Sequence, residues 1–126
     1  MKNILPISDH PSQITNKWFA IYVKSRHEKS VHAELQQKGI ESSLPLMTVT
    51  RQWSDRRKKV EVPLFRGYVF VRIDISKEKF DVLQTDGVVK FVTFNNVTVP
   101  IPEDQMYWLQ QMIASDLLLS QEQDFP

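Results

Sequence analysis

The chain contains no cysteine, which excludes disulfide bridges, zinc sites built on thiolates and catalysis by a thiol nucleophile. With only three glycines it has no glycine-rich loop of the kind that cradles a phosphate group. No apolar run approaches the ~20 residues that a membrane-spanning helix needs. Because the first 16 residues also lack the apolar core of a signal peptide, we expect a cytoplasmic protein.

Positive charge is absent from the C-terminal part of the chain. Residues 1–100 hold all 16 Lys and Arg together with 10 of the 15 acids, whereas residues 101–126 hold the other five acids. A basic body with an acidic terminal segment indicates an anionic partner for the body. Ordinary surface charge with an acidic C-terminal helix would give the same distribution, so composition leaves both interpretations open.

Two predicted strands carry the most informative pattern, because each is apolar on both faces. They cover Trp18–Lys24 and the stretch around Gly67–Ile73, and side chains alternate along a strand. One face holds the aliphatic residues Ile21, Val23, Val69, Val71 and Ile73; the other holds the aromatic residues Trp18, Tyr22, Tyr68 and Phe70. The aliphatic face predicts a core, and what covers the aromatic face is the functional question.

Three helices are predicted from their end signals. Ser25 and Glu28 form a capping-box pattern before the first helix, which runs to about Lys38, with Gly39 at the position of a C-terminal glycine. Ser76 is placed to cap the second helix. We expect inward-facing residues at Phe80 and Leu83 in the second helix, and at Met106, Leu109, Met112 and Ile113 in a third helix that opens at Pro102.

The order of the elements predicts an α+β fold with an antiparallel β-sheet and helices packed mainly on one face. A further strand is expected over Val88–Phe94, and Val49–Val62 reads as a hairpin or long loop that carries a basic run. The expected architecture is an RNP-like α/β sandwich with a basic β-hairpin. The helices would cover the aliphatic face and leave the aromatic face on the other side.

Catalytic, metal and cofactor sites are not predicted. His27 and His32 are five positions apart, which separates them by about 140° around a helix, so they do not form the one-faced zinc motif. Nothing in the sequence brings a serine, a histidine and an aspartate together. We expect a non-enzymatic protein, with Met106, Trp108 and Met112 in the core.

Three interpretations of the aromatic face follow from the residues. Arg66–Val71 follows much of the RNP1 signature of RNA-recognition motifs, and Ile21–Val23 resembles RNP2, so Tyr22, Tyr68 and Phe70 would stack RNA bases. The same aromatic side chains would also form a groove for the helices of a protein partner. In the third interpretation, the hairpin of residues 49–62 covers the face internally.

Four blocks of sequence together resemble the N-terminal (NGN) domain of NusG-type transcription elongation and antitermination factors. The blocks are Trp18–Lys24, Leu44–Leu46, Pro63–Val71 and Thr85–Val92, in one order and spacing. The Pro-Leu-Phe entry to the third block and Pro45–Met47 are closer to specialised paralogues such as RfaH, and closer still to the UpxY proteins linked to capsular polysaccharide operons. The resemblance covers about residues 17–114.

The resemblance implies a binding mode and a set of residues. In this family the aromatic face binds the clamp helices of the largest subunits of RNA polymerase, keeps the clamp closed and suppresses pausing. The matching positions that would line the RNA polymerase-binding groove are Tyr22, Phe65, Tyr68, Phe70, Phe91 and Phe94. Phe91 and Phe94 cannot both face the groove from one regular strand, so one of them is expected at a strand end.

The resemblance also implies contacts with upstream or non-template DNA. The basic residues in the corresponding regions are Lys24, Arg26 and Lys29 at the first helix, and Arg51, Arg56, Arg57, Lys58 and Lys59 at the predicted hairpin tip. Their phosphate contacts would add affinity without sequence choice. RfaH-like proteins have an arginine where Asp86 stands here, so the same base readout is not expected.

The resemblance divides the chain into a lead-in over residues 1–16, an NGN domain over 17–115 and the start of a linker over 116–126. Family members continue into a small β-barrel, the KOW domain, and Pro126 falls where the linker to it would begin. We therefore expect the chain to be a fragment that lacks this domain. Contacts with ribosomal protein S10 or Rho would require the missing domain, and the NGN domain itself is expected to be a monomer.

Overall fold

The computed structural model describes residues 16–112. Nearly all of the predicted lead-in, the predicted linker, Ile113 and the Leu117–Leu119 run lie outside the described residues. The elements are β1 (Lys17–Val23), α1 (Glu28–Gln37), β2 (Glu41–Ser43), β3 (Leu46–Trp53), β4 (Arg56–Pro63), β5 (Tyr68–Ile73), α2 (Ile75–Leu83), β6 (Val88–Phe91), β7 (Thr93–Phe94) and β8 (Val97–Thr98), followed by α3, described over 103–112.

A four-stranded antiparallel sheet in the order β2-β5-β1-β6 forms the centre of the domain. β1 and β5 are the inner strands, and Tyr22 lies opposite Tyr68 while Ala20 lies opposite Phe70. The predicted α+β class with an antiparallel sheet is confirmed. The two strands that the sequence singled out are therefore direct neighbours, which places their aromatic residues on one surface.

The aliphatic face of the sheet carries the main core, as predicted. Residues of β1 and β5 pack there against Val31 and Leu35 of α1 and Val82 of α2. The five aliphatic residues that alternation assigned to this face are all buried. Four of them are fully buried, namely Ile21, Val69, Val71 and Ile73, and the fifth is Val23. Each contributes about 1.5–3 kcal/mol by leaving water.

The opposite face is only partly open, which differs from the prediction. A second buried cluster forms there from Trp18, Phe70 and Met106, with Ile101 and Leu109 packed against it. This cover comes from α3 and the segment before it, rather than from the hairpin of residues 49–62. The helices are therefore divided between the two faces, because the apolar side of α3 fits the Trp18 end of the sheet.

Ion pairing and backbone bonding hold α3 in this position. The Ile101 N–H donates a hydrogen bond of 2.7 Å to the Trp18 carbonyl oxygen. Arg72 Nε lies 2.9 Å from Glu103 Oε2 as an ion pair, without the alignment of a hydrogen bond. Of the predicted inward stripe, Met106 and Leu109 are confirmed, whereas Met112 is exposed. Trp108, predicted as core, is exposed as well.

The start of α1 differs from the predicted capping box. The helix begins at Glu28, with His27 rather than Ser25 at the N-cap position. Glu28 is buried, and its Oε2 atom accepts a hydrogen bond of 2.7 Å from the Gly67 N–H. The carboxylate therefore satisfies a distant backbone group instead of its own helix end. The predicted C-terminal glycine is confirmed, since Gly39 has φ +81° and the Ile40 N–H bonds back to the Leu35 carbonyl.

The second helix, α2, is capped two residues earlier than predicted. Asp74 is the N-cap residue, and its side chain accepts hydrogen bonds from the backbone N–H and the hydroxyl of Ser76. The inward residue is Val82, whereas Phe80 and Leu83 are exposed, contrary to the prediction. Val82 is the residue of α2 that packs into the core on the aliphatic face of the sheet.

Two hairpins project from the sheet. β3 and β4 form the predicted basic β-hairpin, with Trp53 paired to Arg56 across the two-residue turn of Ser54 and Asp55. The predicted strand over Val88–Phe94 is divided into β6 and β7, because the pairing of β6 with β1 ends at Phe91. β7 then pairs with β8 across an Asn95-Asn96 turn in which both residues have positive φ.

Candidate functional site

The open end of the aromatic face is formed by Tyr22, Phe65 and Tyr68, which we name the aromatic surface. The rings of Tyr22 and Tyr68 lie 4.9 Å apart at an angle of 44°, because the two residues are cross-strand partners. Phe65 lies in the turn before β5 and meets the ring of Phe70 edge-on at 6.0 Å. The aromatic surface therefore presents three partly exposed rings on a rigid sheet.

Two phenol hydroxyls and one ammonium group add polar contacts to the aromatic surface. A hydrogen bond with Tyr22 raises the pKa of Tyr68 above its ordinary value of 10.0, so the Tyr68 phenol is neutral at physiological pH. The Lys90 ammonium lies 5.5 Å from the centre of the Tyr22 ring, at the side of the sheet formed by β6. The surface thus combines apolar rings and hydroxyl groups with one cation at its border.

The six predicted groove residues do not all share this surface. Tyr22, Phe65 and Tyr68 lie on it, and Phe70 lies beneath it, only 8% exposed and packed against Trp18 and Met106. The expectation for Phe91 is corrected, because its ring is 4% exposed in the aliphatic core. Phe91 pairs with Ile21 of β1, and because directly opposed residues share a face of the sheet, its side chain lies on the core face with Ile21.

Phe94 lies on β7, which belongs to a different sheet from β1 and β5. Its side chain is 71% exposed. The expectation that one of the two phenylalanines lies at a strand end is confirmed, because Phe91 is the last residue of β6 and Phe94 the last residue of β7. Phe94 lies beyond the break between these strands, on the β7–β8 hairpin, and remains a predicted groove residue.

A basic cleft lies between the start of α1, the base of the β3–β4 hairpin and the turn before β5. Its volume is about 710 Å³, and its cationic lining residues are Arg26, Lys29, Arg51 and Arg66. Two acids, Glu28 and Glu61, also line it. The Glu28 carboxylate accepts a hydrogen bond from the Gly67 N–H, and Lys29 Nζ donates to the backbone carbonyl oxygen of Glu61 at 2.8 Å. We name this feature the basic cleft.

The predicted basic residues are divided among three places. The basic cleft is lined by Arg26, Lys29 and Arg51. Lys24 is exposed and does not line the cleft. The run from Arg56 to Lys59 lies in strand β4 and not in the turn, so its side chains alternate between the two hairpin faces. Arg56 and Lys58 share one face with Arg51, and Arg57 and Lys59 take the other face.

Two residues that the sequence reasoning did not assign belong to these features. Arg66 joins the basic cleft because the turn ahead of Gly67, with φ +83°, brings it beside α1. Lys90 borders the aromatic surface because β6 pairs with β1. The available signal for Arg66 was its place before Gly67 in the RNP1-like block. Lys90 carried no signal, since its position depends on strand order.

The described residues form neither a metal-binding cluster nor a membrane-spanning helix. Within residues 16–112, no group of three or more His, Asp or Glu side chains is arranged to hold a metal ion. No helix in that range is long and apolar enough to cross a membrane. His32 is half-buried and lies 2.6 Å from the Ser42 hydroxyl through Nδ1, and burial lowers its pKa below the ordinary value of 6.5. This pair joins α1 to β2.

Comparisons with known proteins point to one family. A family model described as NusG, transcription termination factor nusG, matches residues 16–110. The chain is 27% identical over 109 residues to the transcription termination/antitermination protein NusG of Streptomyces griseus, covering 79% of this chain and 36% of that protein. The protein of the same name from Streptomyces virginiae is 28% identical over 99 residues, covering 71% of this chain and 32% of that protein.

A solved structure titled "Domain interaction in Thermotoga maritima NusG" aligns with a TM-score of 0.45 at 24% identity, over 72% of this chain and 53% of that one. The chain spans about a third of the length of the Streptomyces relatives. The family match covers well over half of the chain and nearly all the residues described above. The chain therefore belongs to the NusG family of transcription termination factors.

Proposed function

We propose that the chain is the polymerase-binding module of an operon-specific NusG paralogue of the RfaH and UpxY kind. In this proposal the aromatic surface binds the clamp helices of bacterial RNA polymerase in the cytoplasm, and the bound domain suppresses pausing or termination. The basic cleft contacts upstream or non-template DNA. The role is one of binding, and the domain acts as a monomer without catalysis or a cofactor.

The observation that carries the proposal is the exposure of Tyr22, Phe65 and Tyr68 beside a face that is otherwise buried. The domain covers the Trp18 end of this face with α3 and leaves the three rings open. Aromatic rings that are held rigidly are the residues that contribute most energy to protein interfaces. A ridge of helices packed on this surface would remove the rings from water.

The basic cleft supports the second contact of the proposal. Its four cations come from three separate segments of the chain, so the fold concentrates positive charge that the sequence disperses. Arg and Lys at such positions bind phosphate groups irrespective of sequence. Asp86 is exposed at the turn before Gly87. An acid at this point favours DNA contacts that depend on charge and shape at the cleft rather than on an arginine at position 86.

The proposal is tested by measuring binding to RNA polymerase and to its isolated clamp-helix fragment. The variants are Tyr22→Ala and Tyr68→Ala, which truncate partly exposed rings. We expect each variant to weaken binding by about 10- to 100-fold, the range for anchor residues of an interface. Tyr107→Ala is the matched control, because Tyr107 is an exposed tyrosine on α3, away from the aromatic surface. Equal effects of the three substitutions would refute the proposal.

A second candidate function is binding of single-stranded RNA, with bases stacked on Tyr22 and Tyr68. The observation in its favour is that the RNP1-like and RNP2-like strands are adjacent, with these two rings in contact. Phe70, the third ring of that interpretation, is buried and not available for stacking. Tight RNA binding that depends on Tyr22 and Tyr68, without polymerase binding, would favour this function.

The DNA contact has its own measurement. Affinity of the domain for a DNA fork with an unpaired strand is measured from 50 to 200 mM salt, for the natural chain and for Arg26→Gln and Arg66→Gln. We expect each substitution to lower the salt slope by about one phosphate contact. Lys77→Gln serves as the control, since Lys77 is an exposed cation on α2. An unchanged slope in both cleft variants would remove DNA from the proposal.

A further inference from the structure

Large apolar side chains lie on the part of α3 that points away from the sheet. Tyr107, Trp108 and Met112 are each more than half exposed, and the two aromatic rings meet edge-on at 5.8 Å. Trp108 follows the buried Met106 by two positions, about 200° around the helix, so it points away from the cluster that Met106 joins. Met112 follows Trp108 by one turn, on the same side. We name Tyr107, Trp108 and Met112 the α3 outer patch.

The α3 outer patch lies in a stretch of the chain that has no charge. Residues 105–115 contain no Asp, Glu, Lys or Arg, and residues 101–126 contain no Lys or Arg. A helix face that stays in water normally carries charged side chains, whereas a surface poor in charge and rich in Trp, Tyr and Met is typical of contacts with protein. Without cations the patch also offers nothing to the phosphates of a nucleic acid. Its occupant should therefore be an uncharged, apolar segment of protein.

A segment of this kind follows α3 in the same chain. Leu117–Leu119 is an uncharged apolar run that begins five residues after Met112. Five extended residues span up to about 17 Å, whereas the helical turn from Met112 back to Trp108 covers only about 6 Å. Ser115 and Asp116, which precede the run, are residue types that favour turns. The run can therefore reach every residue of the α3 outer patch.

The short connection favours this segment over a separate molecule. A flexible tether of a few residues holds a segment at an effective concentration on the order of 1 mM, so a contact that is weak between molecules can form within one chain. A straight continuation of α3 would not cover the patch. Leu119 is 11 positions after Trp108, which is close to three full turns, so a longer helix would place it beside the patch and enlarge the exposed apolar area. A chain that folds back removes both apolar groups from water.

We propose that Leu117–Leu119 folds back on α3 and covers the α3 outer patch. The contact is apolar and lies within one chain, with the three leucines packed on Trp108 and Met112. Because the patch points away from the sheet, a run that is held there does not cover the aromatic surface, and the three rings of that surface stay open for a partner. The inference does not depend on the proposed function, since it requires neither polymerase nor DNA.

The test measures quenching of Trp108 fluorescence by acrylamide in the whole chain. A Trp53→Phe background leaves Trp108 as the reporter, because Trp18 is buried. We expect Trp108 to be protected from the quencher. The triple substitution Leu117→Ser, Leu118→Ser and Leu119→Ser should abolish this protection and shift the emission to longer wavelength. The matched control changes three apolar residues near the other end of the chain, namely Ile4→Ser, Leu5→Ser and Ile7→Ser, and should have neither effect.

A disulfide gives a second measurement, because the chain has no cysteine of its own. Folding back brings Gln121 toward Asp104, which lies one turn before Trp108, whereas a straight helix would hold the two residues about 25 Å apart. A disulfide requires Cα atoms within about 7 Å. We expect the pair Asp104→Cys and Gln121→Cys to form an intramolecular disulfide faster than the control pair Lys77→Cys and Gln121→Cys, since Lys77 is exposed on α2. Equal rates would overturn the inference.

Other occupants of the patch, or another place for the leucine run, would give different results, and each would overturn the inference. Protection of Trp108 that disappears on dilution, with a doubled mass in light scattering, would indicate a second copy of the chain. A triple serine variant that leaves Trp108 unchanged but binds the clamp-helix fragment more tightly would place the run on the aromatic surface. Full quenching of Trp108 in the natural chain would mean that the patch is open. Failure of the proposed function is separate, because Tyr68→Ala should not change the quenching of Trp108.

Discussion

Glu28 at the start of α1 accepts a hydrogen bond of 2.7 Å from the backbone N–H of Gly67, 39 residues away in the chain. The carboxylate is buried and connects the first helix to the turn that carries Phe65 and Arg66 and leads into Tyr68. One contact therefore orients a ring of the aromatic surface and a cation of the basic cleft at the same time. The hydrogen bond therefore supports both the aromatic surface and the basic cleft.

Removal of this carboxylate should destabilise the domain and loosen the turn. We expect Glu28→Ala to lower the free energy of unfolding by about 1–3 kcal/mol, because the Gly67 N–H would lose its buried partner. Glu28→Gln, whose amide oxygen can still accept, should cost less. Chemical denaturation measures both, with Glu34→Ala on the same helix as the control. An Ala variant as stable as the control would contradict the role assigned to Glu28.

Gly87 should tolerate no side chain. It has φ +97°, and a Cβ atom there would lie 2.8 Å from Val31 Cγ2 and 3.3 Å from His27 Cβ. Gly39→Ala is the matched control, since its φ is +81° but nothing lies within 4 Å of the added atom. We expect Gly39→Ala to cost about 1–2 kcal/mol and Gly87→Ala about 1–3 kcal/mol more, by thermal or chemical unfolding. Equal costs would argue against close packing of Gly87 on α1.

Substitution of Phe70 should lower the free energy of unfolding much more than substitution of Tyr68. Phe70 is buried against Trp18 and Met106, so Phe70→Ala is expected to cost about 3–5 kcal/mol of unfolding free energy. Tyr68 is partly exposed, and Tyr68→Ala should cost clearly less. Unfolding curves of the two variants give the comparison. A Phe70 variant as stable as the natural chain would mean that α3 does not cover this end of the sheet.

Stability should fall in mildly acidic solution because of His32. Burial lowers its pKa, so the folded state favours the neutral ring and the unfolded chain takes up the proton more readily. The stabilisation is therefore present above pH 6.5, the ordinary pKa, and is lost as the pH falls through the lowered value. We expect His32→Asn to flatten the dependence between pH 7.5 and 5.5, whereas His27→Asn, at an exposed position, should not. Parallel curves for the natural chain and the His32 variant would contradict this.

The confirmed parts of the sequence reasoning are those that depend on local periodicity. Alternation along β1 and β5 identified the core face, and Gly39 marked the end of α1. The wrong assignments depend on contacts between distant segments. Ser25 does not cap α1, because the helix begins only at Glu28, after Arg26 with φ +68°, and the Glu28 carboxylate bonds to Gly67. Phe80 is exposed because the side of α2 that packs on the sheet is the one that carries Val82.

The candidate site shows the same division. Tyr22 and Tyr68 could be assigned to one face from alternation and from the resemblance of their strands to one family. Phe91 could not, because the pairing of β6 with β1 places it opposite Ile21, on the core face of the sheet. Arg66 lines the basic cleft and Phe70 is covered by α3. Both positions depend on tertiary packing that no local sequence pattern encodes.

By itself the sequence determined that two strands are apolar on both faces, that the hairpin is basic and that thiol chemistry is excluded. These properties follow from residue type and from a period of two along the chain. The tertiary structure alone decided how much of the aromatic face remains open and which cations meet in one cleft. Both outcomes depend on strand order and on the packing of α3, since side chains far apart in sequence become neighbours only when the sheet is assembled.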